Sequence, residues 1–208
     1  YVAVLNARPD EAAALYKDLL IGVTNFFRDP EAFDALRRRA LPEIFRGSRG
    51  PVRIWTAGCS TGEEPYSLAM LVKEYMEAVG EHREVKIFAT DIDRGALEFA
   101  SAGQYPESIA ADLPRERLQK FFLRRGDGYQ VIKSIREMVI FAAHNVIKDP
   151  PFNKIDLLSC RNMLIYLQPM LQQKVMSFFN FALNDQGFLF LGSSETVEIG
   201  RASCRERV

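Results

Sequence analysis

Five short apolar runs, VRIWTA at 52–57, VKIFAT at 85–90, MVIFAA at 138–143, IDLLSC at 155–160 and GFLFLG at 187–192, alternate with helical stretches at 63–79, 94–102 and 169–182. Apolar runs this short, with little polar alternation, suit strands that are buried on both faces. Such strands, separated by helices, pair in parallel, because each crossover helix returns the chain to the same end of the sheet. The expected fold class is therefore α/β, a doubly wound and mainly parallel sheet. In sheets of this kind ligands bind beyond the carboxyl ends of the strands. The loops at 57–63, 90–93, 143–148 and 159–166 are expected to converge there.

The flanking segments read differently. Residues 9–21 are helical in pattern, and RDPEAFDALRRRA starts a second helix with Asp29 as N-cap and Pro30 at the first helical position. Phe33, Leu36, Ala40, Leu41 and Ile44 fall on one face of it, and Pro42 kinks or splits it. RGSRGP at 46–51 is linker-like. Between 104 and 137 the alternation stops: LPRERLQKFF is a short helix, and GYQVIKSIREMVIF suits a small antiparallel ribbon ahead of the next core strand. The expected organisation is a partial N-terminal helical lobe at 1–46, a linker at 47–51, and a main domain at 52–200 with an inserted subdomain at about 104–137. The tail 201–208, RASCRERV, has neither period and reads as unassigned, foreign sequence.

Composition excludes several classes. A chain of 208 residues, 48% hydrophobic, can bury one principal core. Lysine plus arginine and aspartate plus glutamate both number 27, so the overall field offers no attraction to nucleic acid or a membrane surface. Cys59, Cys160 and Cys204 lie far apart with no C-x-x-C pair, against a disulfide framework or zinc site. No metal is expected, and the setting is expected to be reducing and cytoplasmic. No apolar run reaches the roughly 18–20 residues that span a bilayer, so no membrane insertion is expected.

The stretch GCSTGEEPYS at 58–67 carries the chemistry. Gly58 and Gly62 let a ligand approach the backbone between strand and helix. Such a helix N-terminus commonly receives phosphate, yet here its first turn holds Glu63 and Glu64, with neither G-x-G-x-x-G nor a phosphate-loop lysine. Two carboxylates favour a ligand with positive charge; equally, they could do no more than complement the helix dipole, for under about 1 kcal/mol each. Asp91 ends the next strand in FATDID, where nucleoside-binding folds place a ribose acid, although turn aspartates are as common. Asp93 reads as the cap of the helix that starts near Arg94. Glycine loop, no phosphate cradle and a ribose acid together point to S-adenosylmethionine, a nucleoside with a sulfonium and an ammonium and no phosphate.

The phrases TNFFRDPEAF, WTAGCSTGEEPYS, ATDIDRGALEFASAGQY, FAAHNV, LLSCRNMLIYL and GFLFLGSSE run in order from about 19 to 197. They resemble the CheR family of chemoreceptor glutamate methyltransferases. GVTNFFRDP, YPESIAADL and VIKDPPFNKIDLLSCRN are most similar to the methyltransferase segment of chimeric signalling proteins that fuse CheB-like, CheR-like and PAS modules. The resemblance implies a class I S-adenosylmethionine-dependent methyltransferase core with a small β-subdomain. It also implies S-adenosylhomocysteine as product and O-methylation of glutamates on a chemoreceptor-like helical protein. Residue by residue it implies that Thr24 and Arg28 line the cofactor and the target carboxylate, with Gly58 in the glycine turn. Glu63 would hold the methionine end and Asp91 the ribose. Asn145 with Val146, and Cys160 with Arg161, would surround the adenine and the reacting end, and Tyr166 would help place the substrate.

Each of these residues also has a plainer reading. Arg28 could be a surface partner of Asp29 or Glu31, but Phe26 and Phe27 beside it favour a partly buried site. Tyr166 could be core, Asn162 a turn residue, and Cys160 a small buried hydrophobe. His82 and His144 lack ligand spacing. Arg37, Arg38 and Arg39 form a solvated helix face or a docking face for acidic receptor helices. Three departures from the family stand out. Gly22 replaces an asparagine, the N-terminal lobe is short, and a closing strand after GSSE is absent. The turn RRGDGYQV is shorter than the loop with which some members grip a receptor's C-terminal pentapeptide, so no such tether is expected. Two rival classes are a non-catalytic S-adenosylmethionine-binding sensor module and a nicotinamide-dependent oxidoreductase. The missing G-x-G-x-x-G and Glu63 speak against the second.

Overall fold

The computed structural model describes residues 24–47, 50–193 and 195. The helix expected at 9–21, Gly22 and the tail 201–208 lie outside them. In chain order the strands are β1 (Val52–Ala57), β2 (Val85–Asp91), β3 (Gln104–Pro106), β4 (Phe122–Arg125), β5 (Gly128–Val131), β6 (Val139–Ala143), β7 (Ile155–Cys160) and β8 (Leu183–Leu191). The helices are α1 (Pro30–Ala35), α2 (Leu41–Gly47), α3 (Glu63–Val79), α4 (Arg94–Ala102), α5 (Arg115–Phe121), α6 (Lys133–Arg136) and α7 (Pro169–Ala182).

Five strands form one sheet in the order β6-β2-β1-β7-β8, with every neighbouring pair parallel. The central strand β1 explains why: Ile54, Trp55, Thr56 and Ala57 are all buried, so both of its faces are covered. One polar group this traps is satisfied internally, Trp55 Nε1 donating to Thr90 Oγ1 at 2.9 Å, whereas Thr56 Oγ1 has no hydrogen-bond partner among the described residues. The chain runs outward from β1 through β2 to β6 and then crosses back to β7 on the other side of β1. That reversal opens a crevice at the carboxyl ends of β1 and β7.

Helix limits follow local chemistry. α3 begins after Gly62 and stops at Gly80, whose left-handed φ of 71° lets its N–H reach Met76 O. Asp93 caps α4 by accepting from the Gly95 and Ala96 amides. Asp29, in contrast, does not cap α1. It lies at φ 58° with no capping bond, and its carboxylate is held instead by Arg161. Near Pro42 the α-helix is split, as expected, by a π-turn at Leu36–Ala40 that separates α1 from α2. Proline cannot donate to the carbonyl four residues back, so the hydrogen-bond register slips by one. The expected apolar face survives that slip, with Phe33, Leu36, Ala40, Leu41 and Ile44 all buried.

Strands β3, β5 and β4 form a separate antiparallel sheet in that order. The ribbon expected from GYQVIKSIREMVIF is cut short at Val131, and Lys133–Arg136 is helical. The partners of β5 end at Gln104 and Phe122, so the chain turns there, and Ile135 is buried. This subdomain is tied to α3 by a bidentate bridge from Arg117 to Glu74, both contacts 2.9 Å, and Arg117 also lies 3.9 Å over the Phe27 ring. No helix among the described residues is long and apolar enough to cross a membrane.

Candidate active site

The loop after β1 packs three left-handed residues into five positions: Gly58 at φ 76°, Ser60 at 46° and Gly62 at 93°. Space is as tight as the dihedrals. A Cβ on Gly62 would lie 2.7 Å from Ala100 Cβ, and one on Gly58 would lie 3.1 Å from Met163 Sδ. The coiled backbone aims its amides inward. Gly58 and Cys59 donate to Thr90 O, and Ser60 donates to Asp91 Oδ2 at 2.8 Å. Asp91 Oδ1 accepts from Asp93 N at 3.0 Å, so each carboxylate oxygen keeps a lone pair for a further donor.

Beside this loop lies a cleft of about 140 Å³. Thr24 and Arg28 enter it from the segment before α1, Glu64 from α3, and Arg161, Asn162, Ile165 and Tyr166 from the loop after β7. The most constrained charge is Arg161, whose side chain is 1% exposed. Its Nη2 donates to Asp29 Oδ2 at 2.6 Å, and its guanidinium rests on Phe190 and Phe33 at 4.8 and 5.3 Å. Nη1 approaches Glu64 Oε2 only to 3.7 Å, and neither Nε nor Nη1 has a hydrogen-bond partner among the described residues. Glu64 accepts from Ser159 Oγ at 2.7 Å. Burial raises its carboxyl above the ordinary range, while Arg161, Ser159 and Arg28 pull it back down.

Of the residues singled out in the sequence, Thr24, Arg28, Gly58, Arg161 and Tyr166 meet at the cleft, and Asp91 lies at its Ser60 end. Others stand apart. Glu63 is buried outside the lining, accepting from Thr61 Oγ1 at 2.6 Å, and burial raises its carboxyl. Cys160 is fully buried in the cluster around Trp55. Asn145 folds its side chain onto the Ile147 and Lys148 amides, and Val146 packs against the Trp55 cluster. These two sit in the loop after β6, which reaches Asp91 through His144 N donating to Asp91 O at 3.0 Å. Burial pushes both the Cys59 and the Cys160 thiols well up, so neither is a thiolate nucleophile.

Sequence reasoning singled out both Glu63 and Glu64 but gave the cofactor contact to Glu63, whereas Glu64 is the one that lines the cleft. Successive helix residues point about 100° apart, so only one of two adjacent glutamates can face the cleft. Because Leu68–Val72 is buried right round α3, no polar face in the sequence reveals which one. Ile165, 47% exposed beside the cleft, carried no local signal.

The description "CheR methyltransferase, SAM binding domain" matches residues 22–206. The chain belongs to the CheR methyltransferase family. A chemotaxis protein methyltransferase of Borreliella burgdorferi is 39% identical over 181 residues, 84% of this chain and 64% of that protein. One from Listeria monocytogenes is 36% identical over 179 residues, 86% of this chain and 67% of that protein. An uncharacterized 104.1 kDa protein of Rhodobacter capsulatus is 43% identical over 199 residues, covering 95% of this chain but 21% of that protein. The chain therefore spans 64–67% of these two chemotaxis relatives, and the small share of the Rhodobacter protein is compatible with a fused arrangement. As a CheR-family domain on a parallel β6-β2-β1-β7-β8 sheet, it is a class I methyltransferase fold whose cofactor is S-adenosylmethionine.

Proposed function

We propose that this domain methylates glutamate side-chain carboxylates on a receptor-like signalling protein, as in chemotactic adaptation. One observation carries the reading: two arginines, Arg28 and the buried Arg161, face one small cleft. The reaction needs two carboxylates held there, one on the cofactor's methionine end and one on the acceptor. Arg161, with Nε and Nη1 buried and without a hydrogen-bond partner among the described residues, fits the carboxylate that stays in place through turnover. Arg28, half-buried in the lining of the same cleft, takes the acceptor in this reading.

The remaining residues fit the cofactor as well. Gly58 and Gly62 keep the backbone bare, and the free lone pairs of Asp91 suit the two ribose hydroxyls. Glu64 supplies a carboxylate at the cleft wall toward the ammonium, the role that the family resemblance gives to Glu63. S-adenosylmethionine, when bound, supplies a methyl group on a sulfonium, which is a good leaving group. The protein's share is alignment. An acceptor glutamate, with a pKa of about 4.3 in water, is already an ionised nucleophile at neutral pH and needs no general base. Arg28 orients that carboxylate and Tyr166 bounds its other side. The turn between β4 and β5 holds Gly126 and Asp127, a length that supports docking without a grip on a receptor pentapeptide.

Two measurements test this reading. Label transferred from methyl-tritiated cofactor to a chemoreceptor signalling domain should be released as methanol in mild alkali, as esters are. Alkali-stable label would place the methyl on nitrogen or carbon and end the proposal. Separately, Asp91→Ala should weaken S-adenosylmethionine and S-adenosylhomocysteine alike by about 1.5–3 kcal/mol, since both present the same ribose. Unchanged calorimetric affinity in the folded variant would remove Asp91 from the site.

A further inference from the structure

We propose that Glu195 is a positioning residue that fixes the turn carrying Tyr166 at the rim of the cleft. The proposal rests on the role given to Tyr166 above. Glu195 lies four residues beyond β8 and is buried, a setting in which a carboxylate needs partners. It has three. Its Oε1 accepts from Met163 N and Leu164 N, both at 2.9 Å, and its Oε2 accepts from Gly192 N at 2.7 Å. Its own amide donates to Gly192 O at 3.1 Å, closing a small reciprocal turn. One carboxylate thus joins the end of β8 to the loop after β7. Gly192 makes the approach possible, because a Cβ there would lie 3.1 Å from Glu195 Oε2 and 3.2 Å from Asn162 N.

Packing anchors the turn it grips on one side, through buried Leu164 and the partly buried Met163 and Leu167. Asn162 is left-handed at φ 57°, and Leu164–Tyr166 is a single 3-10 turn closed by Tyr166 N donating to Met163 O at 3.1 Å. Gln172 Nε2 holds the opposite side, donating to Leu164 O and Leu167 O at 3.0 Å each. Amides are therefore fixed by Glu195 and carbonyls by Gln172. Tyr166 is 59% exposed, so packing does not set its direction; the backbone of the turn does. A charged acceptor holds amides more firmly than a neutral one, which is why this job suits glutamate.

Glu195→Gln and Glu195→Asp separate this role from general stability. Gln keeps the volume but sets an NH2 against a backbone N–H, whereas Asp keeps the charge but falls one methylene short of spanning both segments. In either variant, amide exchange at Met163 and Leu164 should accelerate at least about tenfold while β1 and β2 keep their protection. The kcat for methyl transfer should fall at least about tenfold, with S-adenosylhomocysteine affinity changed less than about threefold. Unchanged exchange at Met163 and Leu164 overturns the proposal. So does faster exchange with unchanged kcat, and so does equal acceleration throughout the sheet. A parent chain that methylates no carboxylate refutes the methylation reading alone, and the exchange data then decide the clamp by themselves.

Discussion

Replacing Arg161 with leucine should destabilise the fold by about 3–5 kcal/mol, read as a lower denaturation midpoint with an unchanged m-value. Little of that loss comes from Asp29, whose side chain is 46% exposed and can turn to water. It comes from Glu64, which would keep the Ser159 hydroxyl and the attraction of Arg28 but lose that of Arg161, the largest of its favourable charges. Burial already holds this carboxyl above its ordinary range, and losing Arg161 raises it further. The sign of the pH dependence follows. An acid with a raised folded-state pKa destabilises the native state when ionised, so the deficit is full above that pKa and fades as falling pH protonates Glu64. Adding Glu64→Gln to the leucine variant should recover about half of the deficit at neutral pH, since the two sites are coupled. A loss below about 1 kcal/mol, typical of a surface ion pair, would show that Glu64 has solvent access and is not a buried partner.

What was legible in the sequence was whatever neighbours in the chain decide. α3, α4 and α7 begin and end where Gly62 and Gly80, the Asp93 cap and Pro169 require, and doubly buried strands such as β1 read as unbroken apolar runs. The failures share a cause, which is a partner distant in sequence. Asp29 stands at a good capping position, yet its carboxylate is taken by a residue 132 positions away. β5 ends where its partners do, at Gln104 of β3 and Phe122 of β4. In the site, the resemblance placed Thr24, Arg28 and Tyr166 at one cleft but could not set the phase of α3, which decides between Glu63 and Glu64. Glu195 stood in the sequence only as the end of the family phrase GFLFLGSSE, and its meaning lies in amides 31 and 32 residues earlier.

Arg28→Ala should lower methyl-transfer turnover by about 10²–10³ while changing cofactor affinity by no more than about threefold. The backbone around Arg28 supports so large an effect. Phe27 at φ 50° and Asp29 at φ 58° flank it, both left-handed and neither glycine, a conformation that costs about 1–3 kcal/mol per residue. Three contacts hold it. Phe27 N donates to the buried Ser67 Oγ at 2.9 Å, Arg117 covers the Phe27 ring, and Asp29 is fixed by Arg161. A strained turn pinned on both sides presents Arg28 in one direction, and presentation is what an already ionised acceptor requires. Arg28→Lys should restore only part of the rate, because a point charge does not reproduce the planar fork that orients a carboxylate. The rate should also stay nearly flat from about pH 6 to 8, with the acceptor ionised throughout and both buried thiols protonated. Equal losses of turnover and cofactor affinity would assign Arg28 to the cofactor alone. A bell-shaped profile centred near neutrality would mean that a proton is removed in the rate-limiting step, which a carboxylate acceptor does not need.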